Sequence, residues 1–282
     1  MAKSVLQVYH VREDRGIHQL VNILVNGLPA RMLLDTGASH TVFCKRRIRF
    51  FANEENIDEP GFQAVGMGED FDAYSLHINN FMVGKIHLRE YDAILADLSM
   101  IEQFYGRLIE GPVHGVLGGD LLTLPDSMIS FRKNLLRLGG QRSVRFRALS
   151  YVPNTTHLVV QVKIMGKKAN MFIDTGATVT IFNSRRFHEL TQYDESRLET
   201  IEEPGKGVKK EHLALGMMNL KQVELGHVIL KDFPGRLIDL DNVNELYLRL
   251  GYPPLDGLIG NDLLFAYKAE LFSAENKLII RN

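Results

Sequence analysis

The sequence predicts a mainly β protein of two tandem lobes related by pseudo-twofold symmetry, with a few short helices. Three observations carry that expectation. Met32-Leu33-Leu34-Asp35-Thr36-Gly37-Ala38-Ser39 returns 139 positions later as Met171-Phe172-Ile173-Asp174-Thr175-Gly176-Ala177-Thr178, in a register that holds from His18/His157 through Gly27/Gly166 to Phe43/Phe182. A second echo pairs Gly115-Val116-Leu117-Gly118-Gly119-Asp120-Leu121-Leu122 with Gly257-Leu258-Ile259-Gly260-Asn261-Asp262-Leu263-Leu264. Between these motifs the apolar residues alternate or come in short runs, which is the period of strands. A repeat of about half the chain points to paired domains, here 1–139 and 140–282, and not to a solenoid of many small units.

Each element follows from local signals. Residues 5–11, 21–25, 31–34 and 81–88 read as strands, with counterparts at 144–152, 159–164, 169–173 and 223–230. Asn26-Gly27 is a hairpin signal, and Met165-Gly166-Lys167-Lys168 takes the same place in the second copy. Short helices are expected at 120–124, 187–192 and 262–265. Gly139-Gly140 closes the first repeat and Pro153-Asn154-Thr155-Thr156 marks a turn before the second. A strand at 144–149 between them would join both halves in one sheet.

Composition narrows the function classes. At 282 residues, 45% hydrophobic and 24% charged, the chain has the makeup of an ordinary globular protein with room for two cores. A formal net charge of -1 gives no reason to expect nucleic acid or an anionic membrane as partner. No run approaches the roughly 20 apolar residues that span a bilayer. The first ten residues lack the apolar core of a secretory signal. A single cysteine, Cys44, suits a reducing compartment, so the cytoplasm is the expected location. The ten histidines show no ligand spacing, and neither a nucleophile elbow nor a phosphate loop is present. The expectation is therefore no metal and no cofactor.

The chemistry sits in the repeated turn. An apolar strand delivers Asp35 or Asp174 to the interior, and Gly37 or Gly176 permits a tight turn. Thr36 and Thr175 supply hydroxyls suited to holding it, across the domain junction if the turns meet. Two carboxylates a few ångström apart cannot both ionise freely, so one pKa rises and the pair shares a proton. Such a pair offers general acid and general base together.

These motifs resemble the aspartic peptidases, specifically the retropepsin-like branch with Asp-Thr-Gly-Ala, over residues 18–138 and 157–280. The resemblance implies two acid-protease β-barrel lobes and one dyad, Asp35 with Asp174. It further implies active-site turns of Thr36, Gly37, Ala38 and Thr175, Gly176, Ala177. Val116-Leu117-Gly118 and Leu258-Ile259-Gly260 match the apolar-apolar-Gly stretch that packs beneath each turn in the family. A shared proton is a general property of such dyads. Flaps would fall at Gly66, Met67 and Gly68, and at Gly205, Lys206 and Gly207, the second made basic by Lys209 and Lys210 as well and so suited to acidic side chains. The implied activity is endopeptidase cleavage of an extended peptide or protein substrate, by a monomer with pseudo-dimeric lobes in preference to an obligate homodimer. The alternatives are a non-catalytic peptide-binding relative, or sites formed between the chains of a homodimer. Ala38 and Ala177 stand where pepsins place a hydroxyl, and losing that donor raises carboxyl pKa values, which implies a mildly acidic pH optimum.

Other repeated residues have structural readings. Asp120 and Asp262 precede Leu-Leu and read as helix caps, with a buried ion pair allowed by the resemblance. Arg46-Arg47 and Arg185-Arg186 read as solvated residues beside a short helix. Cys44 aligns with Asn183 and carries no nucleophile pattern. His40 aligns with Val179 and reads as a packed or solvent-facing side chain.

Overall fold

Short apolar strands pair into three sheets in the computed structural model, which describes residues 3–13, 16–64, 70–139, 157–191, 199–204, 212–275 and 277–281. The protein is mainly β, with one large sheet built from each half of the chain and a third sheet shared by both. The strand Val159–Ile164 shows why such segments become strands. Val160, Val162 and Ile164 are buried while Gln161 and Lys163 face outward, so one face of the pleat enters the core.

In the first lobe the neighbours run Phe62–Ala64, Phe71–Ile78, Tyr91–Ala96, Val42–Cys44, Gly115–Leu117, Leu28–Leu34, Gly16–Val25, Phe81–Val83 and Ile86–Leu88, with Tyr9–Glu13 also beside Gly16–Val25. In the second they run Val159–Ile164, Lys167–Ile173, Gly257–Ile259, Ile181–Asn183, Val228–Ile238, His212–Leu225 and Glu199–Pro204. There His212–Leu225 pairs back onto Val159–Ile164, which closes a barrel and covers the free edge of that strand.

The third sheet joins the lobes. Its order is Ser4–Gln7, Leu135–Leu138, Met128–Ser130, Glu270–Phe272 and Lys277–Ile279. The pairs Ile129 with Leu271 and Ser130 with Glu270 cross from one lobe to the other. A shared sheet is therefore present, built from the closing strands of each repeat. Residues 144–149, expected to form it, lie outside the described residues, as do 144–152 as a whole.

Several strand expectations change in detail. Residues 81–88 are a hairpin, Phe81–Val83 with Ile86–Leu88, turning at Gly84 with φ +60°. Residues 223–230 likewise straddle a turn at Gly226 with φ +60°. In both, unbroken apolar alternation hides a turn that only the glycine marks. Residues 5–11 divide at Val8, whose N–H donates to Asn134 O at 2.9 Å as the chain passes from the joining sheet to the first lobe.

The expected helices appear as Gly119–Leu122, Ser184–Thr191 and Asn261–Ala266. Two more, Ser99–Tyr105 and Asp241–Arg249, occupy matching places in the repeats. Each is introduced by an aspartate: Ser99 N donates to Asp97 Oδ1 at 2.9 Å, and Asp241 N to Asp239 Oδ1 at 2.7 Å. Among the described residues no helix is long and apolar enough to cross a membrane.

Candidate active site

Each repeated turn is hung between two strands. Leu28–Leu34 runs parallel to Gly115–Leu117, which runs antiparallel to Val42–Cys44, so the turn carrying Asp35 emerges between its neighbours. The second lobe repeats this with Lys167–Ile173, Gly257–Ile259 and Ile181–Asn183. Asp35 N donates to Leu117 O at 3.1 Å, and Asp174 N to Ile259 O at 3.0 Å. Asp35 Oδ1 accepts from the Gly37 and Ala38 N–H groups at 2.7 and 3.1 Å. Asp174 Oδ1 accepts from those of Gly176 and Ala177 at 2.8 and 3.3 Å. The carboxylates are thus held by their own turns.

The two turns meet. Thr36 N donates to Thr175 Oγ1 and Thr175 N to Thr36 Oγ1, both at 3.0 Å. Thr36 Oγ1 donates to Ile173 O at 2.7 Å, and Thr175 Oγ1 to Leu34 O at 3.0 Å. Each hydroxyl therefore accepts one bond and donates another across the junction, as the sequence suggested. The glycines lie under the opposite carboxyls. A Cβ on Gly37 would stand 2.8 Å from Asp174 Oδ1, and one on Gly176 would stand 2.5 Å from Asp35 Cγ. No side chain fits at either position. The carboxyls of Asp35 and Asp174 lie within hydrogen-bonding reach of each other.

Burial makes the pair asymmetric. Asp174 is 4% exposed, whereas Asp35 keeps an intermediate exposure. Desolvation raises the pKa of Asp35, opposed by the Gly37 N–H, a hydrogen bond from Asp174 and the Ala38 N–H. Asp174 is raised further, by desolvation and then by the charge of Asp35, against the N–H groups of Gly176 and Ala177. Among the described residues no cation offsets either carboxylate. A single proton shared between the two carboxyls relieves their repulsion. Near Asp35, burial raises the Tyr105 phenol, and the charges of Asp35 and Glu13 raise it further.

Asp120 and Asp262 do not cap helices; the cap positions are Gly118 and Gly260. Their carboxylates brace the chain leaving each turn. Asp120 accepts from Thr41 N and Oγ1 at 3.0 and 2.9 Å, and also from the Tyr91 hydroxyl at 2.5 Å. Asp262 accepts from Thr180 N and Oγ1 at 2.9 and 2.7 Å. These partners are uncharged hydroxyl and amide donors, so the helix aspartates work through hydrogen bonds. The sequence signal was available, because Thr41 and Thr180 are themselves a repeat pair. Gly118 is needed for this packing, since a Cβ there would come within 2.3 Å of the His40 carbonyl.

The arginine repeats are anchors more than solvated residues. Arg47 pairs with Glu102, and Arg186 Nε lies 2.9 Å from the buried Asp256. Arg185 pairs with Asp241 at 2.8 Å while Arg46 is exposed. His40 is exposed beside Ser39, and burial raises the Cys44 thiol, which suits an inert side chain. The flap residues Gly66, Met67 and Gly68, and Gly205, Lys206 and Gly207, lie outside the described residues. The arms leading to them are paired antiparallel, Phe62–Ala64 with Phe71–Ile78 and Glu199–Pro204 with His212–Leu225. Among the described residues no group of three or more His, Cys, Asp or Glu side chains is arranged to hold a metal ion.

Comparison with known proteins gives two family matches in tandem. Residues 21–123 match a family described as "gag-polyprotein putative aspartyl protease", and residues 160–263 match one described as "Aspartyl protease". No curated protein sequence matches the chain. Among solved structures, basic 7S globulin from soybean aligns at 9% identity and a TM-score of 0.51, over 99% of this chain and 96% of that one. A retropepsin-like aspartic protease from Rickettsia conorii aligns at 18% identity and a TM-score of 0.34, over 49% of this chain and 99% of that one. The full-length likeness is one of fold.

Proposed function

Because this chain belongs to the retropepsin-like aspartic peptidases and carries two of their domains in tandem, we propose that it is an endopeptidase whose single site takes Asp35 from residues 1–139 and Asp174 from residues 140–282. The observation that carries this reading is the packing of each Asp-Thr-Gly turn beneath the other's carboxyl. A water held between the carboxyls meets a base on one side and an acid on the other. Asp35, the more exposed and less strongly raised, takes a proton from that water as its oxygen attacks the peptide carbonyl carbon. Asp174 hydrogen-bonds the carbonyl oxygen through its own proton and stabilises the tetrahedral species. Collapse of that species transfers a proton to the leaving amine, with no covalent enzyme intermediate.

Substrate lies extended between the two hairpin arms, Phe62–Ala64 with Phe71–Ile78 and Glu199–Pro204 with His212–Leu225. Ala38 and Ala177 contribute backbone N–H groups and no hydroxyl to the carboxylates, which favours an optimum only mildly acidic. A buried lone cysteine suits a reducing, cytoplasmic setting.

Asp35→Asn and Asp174→Asn test the reading. Each is expected to lower kcat by roughly 10³-fold or more, since the pair works only as acid and base together. Peptide affinity, measured by fluorescence anisotropy, should change little. Cleavage surviving in either variant would refute the shared site, and a wild type that binds peptide without cleaving it would make the chain a binding relative.

A further inference from the structure

The two turns are matched in their backbone hydrogen bonds, and a mismatch in side-chain support falls at the residue after Gly118 and Gly260. Gly119 in the first lobe corresponds to Asn261 in the second. Their backbones act alike: Gly119 N donates to Ala38 O at 2.8 Å and Asn261 N to Ala177 O at 2.9 Å. The Asn261 side chain then does what a glycine cannot. Fully buried, its Nδ2 donates to Thr175 O and to Ile17 O, both at 2.8 Å. Ile17 belongs to the first-lobe strand Gly16–Val25, so one amide ties the second active-site turn to the opposite lobe. Approach there is close: a Cβ on Gly16 would stand 2.6 Å from Thr178 Cβ.

The amide orientation follows from its partners, because a flipped group would set Oδ1 against two carbonyl oxygens. Oδ1 has no hydrogen-bond partner among the described residues. A buried acceptor left unmet is unfavourable. The side chain is thus held by its donor end, and the target of that donor is informative. Thr175 C=O and Gly176 N–H belong to one peptide group, and that N–H donates to Asp174 Oδ1 at 2.8 Å. A hydrogen bond accepted at the oxygen of a peptide polarises it and strengthens donation at its nitrogen.

We infer that Asn261 is a positioning residue for the second active-site turn, fixing Thr175 against the first lobe and strengthening the Gly176 N–H that holds Asp174. The inference rests on the reading of Asp174 as half of the catalytic pair. It gives the two carboxyls unequal support, with the extra donor on the side where burial is deeper. The charged group facing Asp174 is Asp35. Glu13, His18 and Tyr105 stand on the Asp35 side, where Glu13 Oε1 lies 3.6 Å from His18 Nε2. On the helix of Asn261 itself, Asp262 is turned to Thr180.

The test is the pH dependence of kcat/KM in Asn261→Gly, which copies the residue the first lobe uses, and in Asn261→Asp, which keeps the shape and removes the paired donor. A weaker Gly176 N–H favours the protonated Asp174. The alkaline limb should therefore move up by about 0.5 pH unit in the glycine variant, the size expected of one polarised hydrogen bond. It should move further up in the aspartate variant, which adds a like charge. The acid limb should stay in place. Carbon-13 titration of the Asp174 carboxyl should follow the same shift without turnover. An inactive wild type would then sink the catalytic reading while the tuning remained measurable. Folded variants whose Asp174 titration matches wild type would overturn the inference. So would loss of folding in both, which would leave Asn261 a lobe clamp alone.

Discussion

Asp174 places a titratable acid where an amide would be more comfortable. Desolvation and the charge of Asp35 raise its pKa well above the usual carboxyl value, so between the unfolded and folded values the folded state holds a proton that the unfolded chain releases. A group raised in this way contributes stability that is fully present below the unfolded pKa, about 3.9, and is lost as pH rises through the folded value. Asp174→Asn has the same shape and no charge at any pH, and its amide oxygen can still accept from Gly176 and Ala177. It is expected to raise Tm at pH 7.5 by about 2–6 °C, from a gain of a few kcal/mol on unfolding a chain of this size. Near pH 3.5 the gain should vanish. Melting curves of wild type and variant at both pH values check this, and a gain larger in acid would reverse the sign of the argument. The same residues were readable in advance. Asp, Thr and Gly repeat at fixed spacing, and each performs its role locally or with its own counterpart, as the crossed Thr36 and Thr175 bonds show. Asn261 was not readable, because its meaning lies in a mismatch with Gly119 and in contact with a carbonyl 244 residues away.

At the level of elements, the arginine repeat shows how identical letters acquire different weight. Arg186 reaches Asp256, a carboxylate 2% exposed that also accepts from Asn170 N at 2.7 Å. This ties the helix Ser184–Thr191 to the strand Lys167–Ile173 beneath it. Its neighbour Arg185 meets Asp241 at the surface, with a side chain 72% exposed. Removing one partner of a buried pair leaves a charge unmet, whereas an exposed pair contributes little. Arg186→Met is expected to cost about 2–4 kcal/mol, the low end for a buried pair because the arginine is partly exposed, while Arg185→Met should cost under about 1 kcal/mol. Urea midpoints with unchanged slopes would report both, and equal losses would contradict the assignment. Sequence periodicity found most strands but ran through the turns at Gly84 and Gly226, where alternation continues on both sides. It also passed over the helices Ser99–Tyr105 and Asp241–Arg249, although Asp97-Leu98 and Asp239-Leu240 repeat ahead of them. Those helices are short, and their apolar residues are interleaved with acids, so the repeat was the stronger signal and the period the weaker.

At the scale of the whole molecule, the question is whether the site belongs to one chain. Three separate connections tie the lobes: the sheet pairing of Met128–Ser130 with Glu270–Phe272, the crossed threonine bonds, and Asn261 on Ile17. Each uses residues from both halves of the same chain, and each turn has its partner's glycine beneath its carboxyl. A homodimer placing Asp35 against Asp35 would have to break all three. Covalent linkage keeps the effective concentration of one lobe near the other at about millimolar, far above working enzyme concentrations. Specific activity should therefore stay constant from about 10 nM to 10 µM, a range over which a weakly associating two-chain site would titrate away. Light scattering across the same range should report the monomer mass throughout. Activity per mole that falls on dilution, together with a shift of mass from dimer to monomer, would return the site to the space between chains. Constant activity would locate both carboxyls of each site in a single polypeptide.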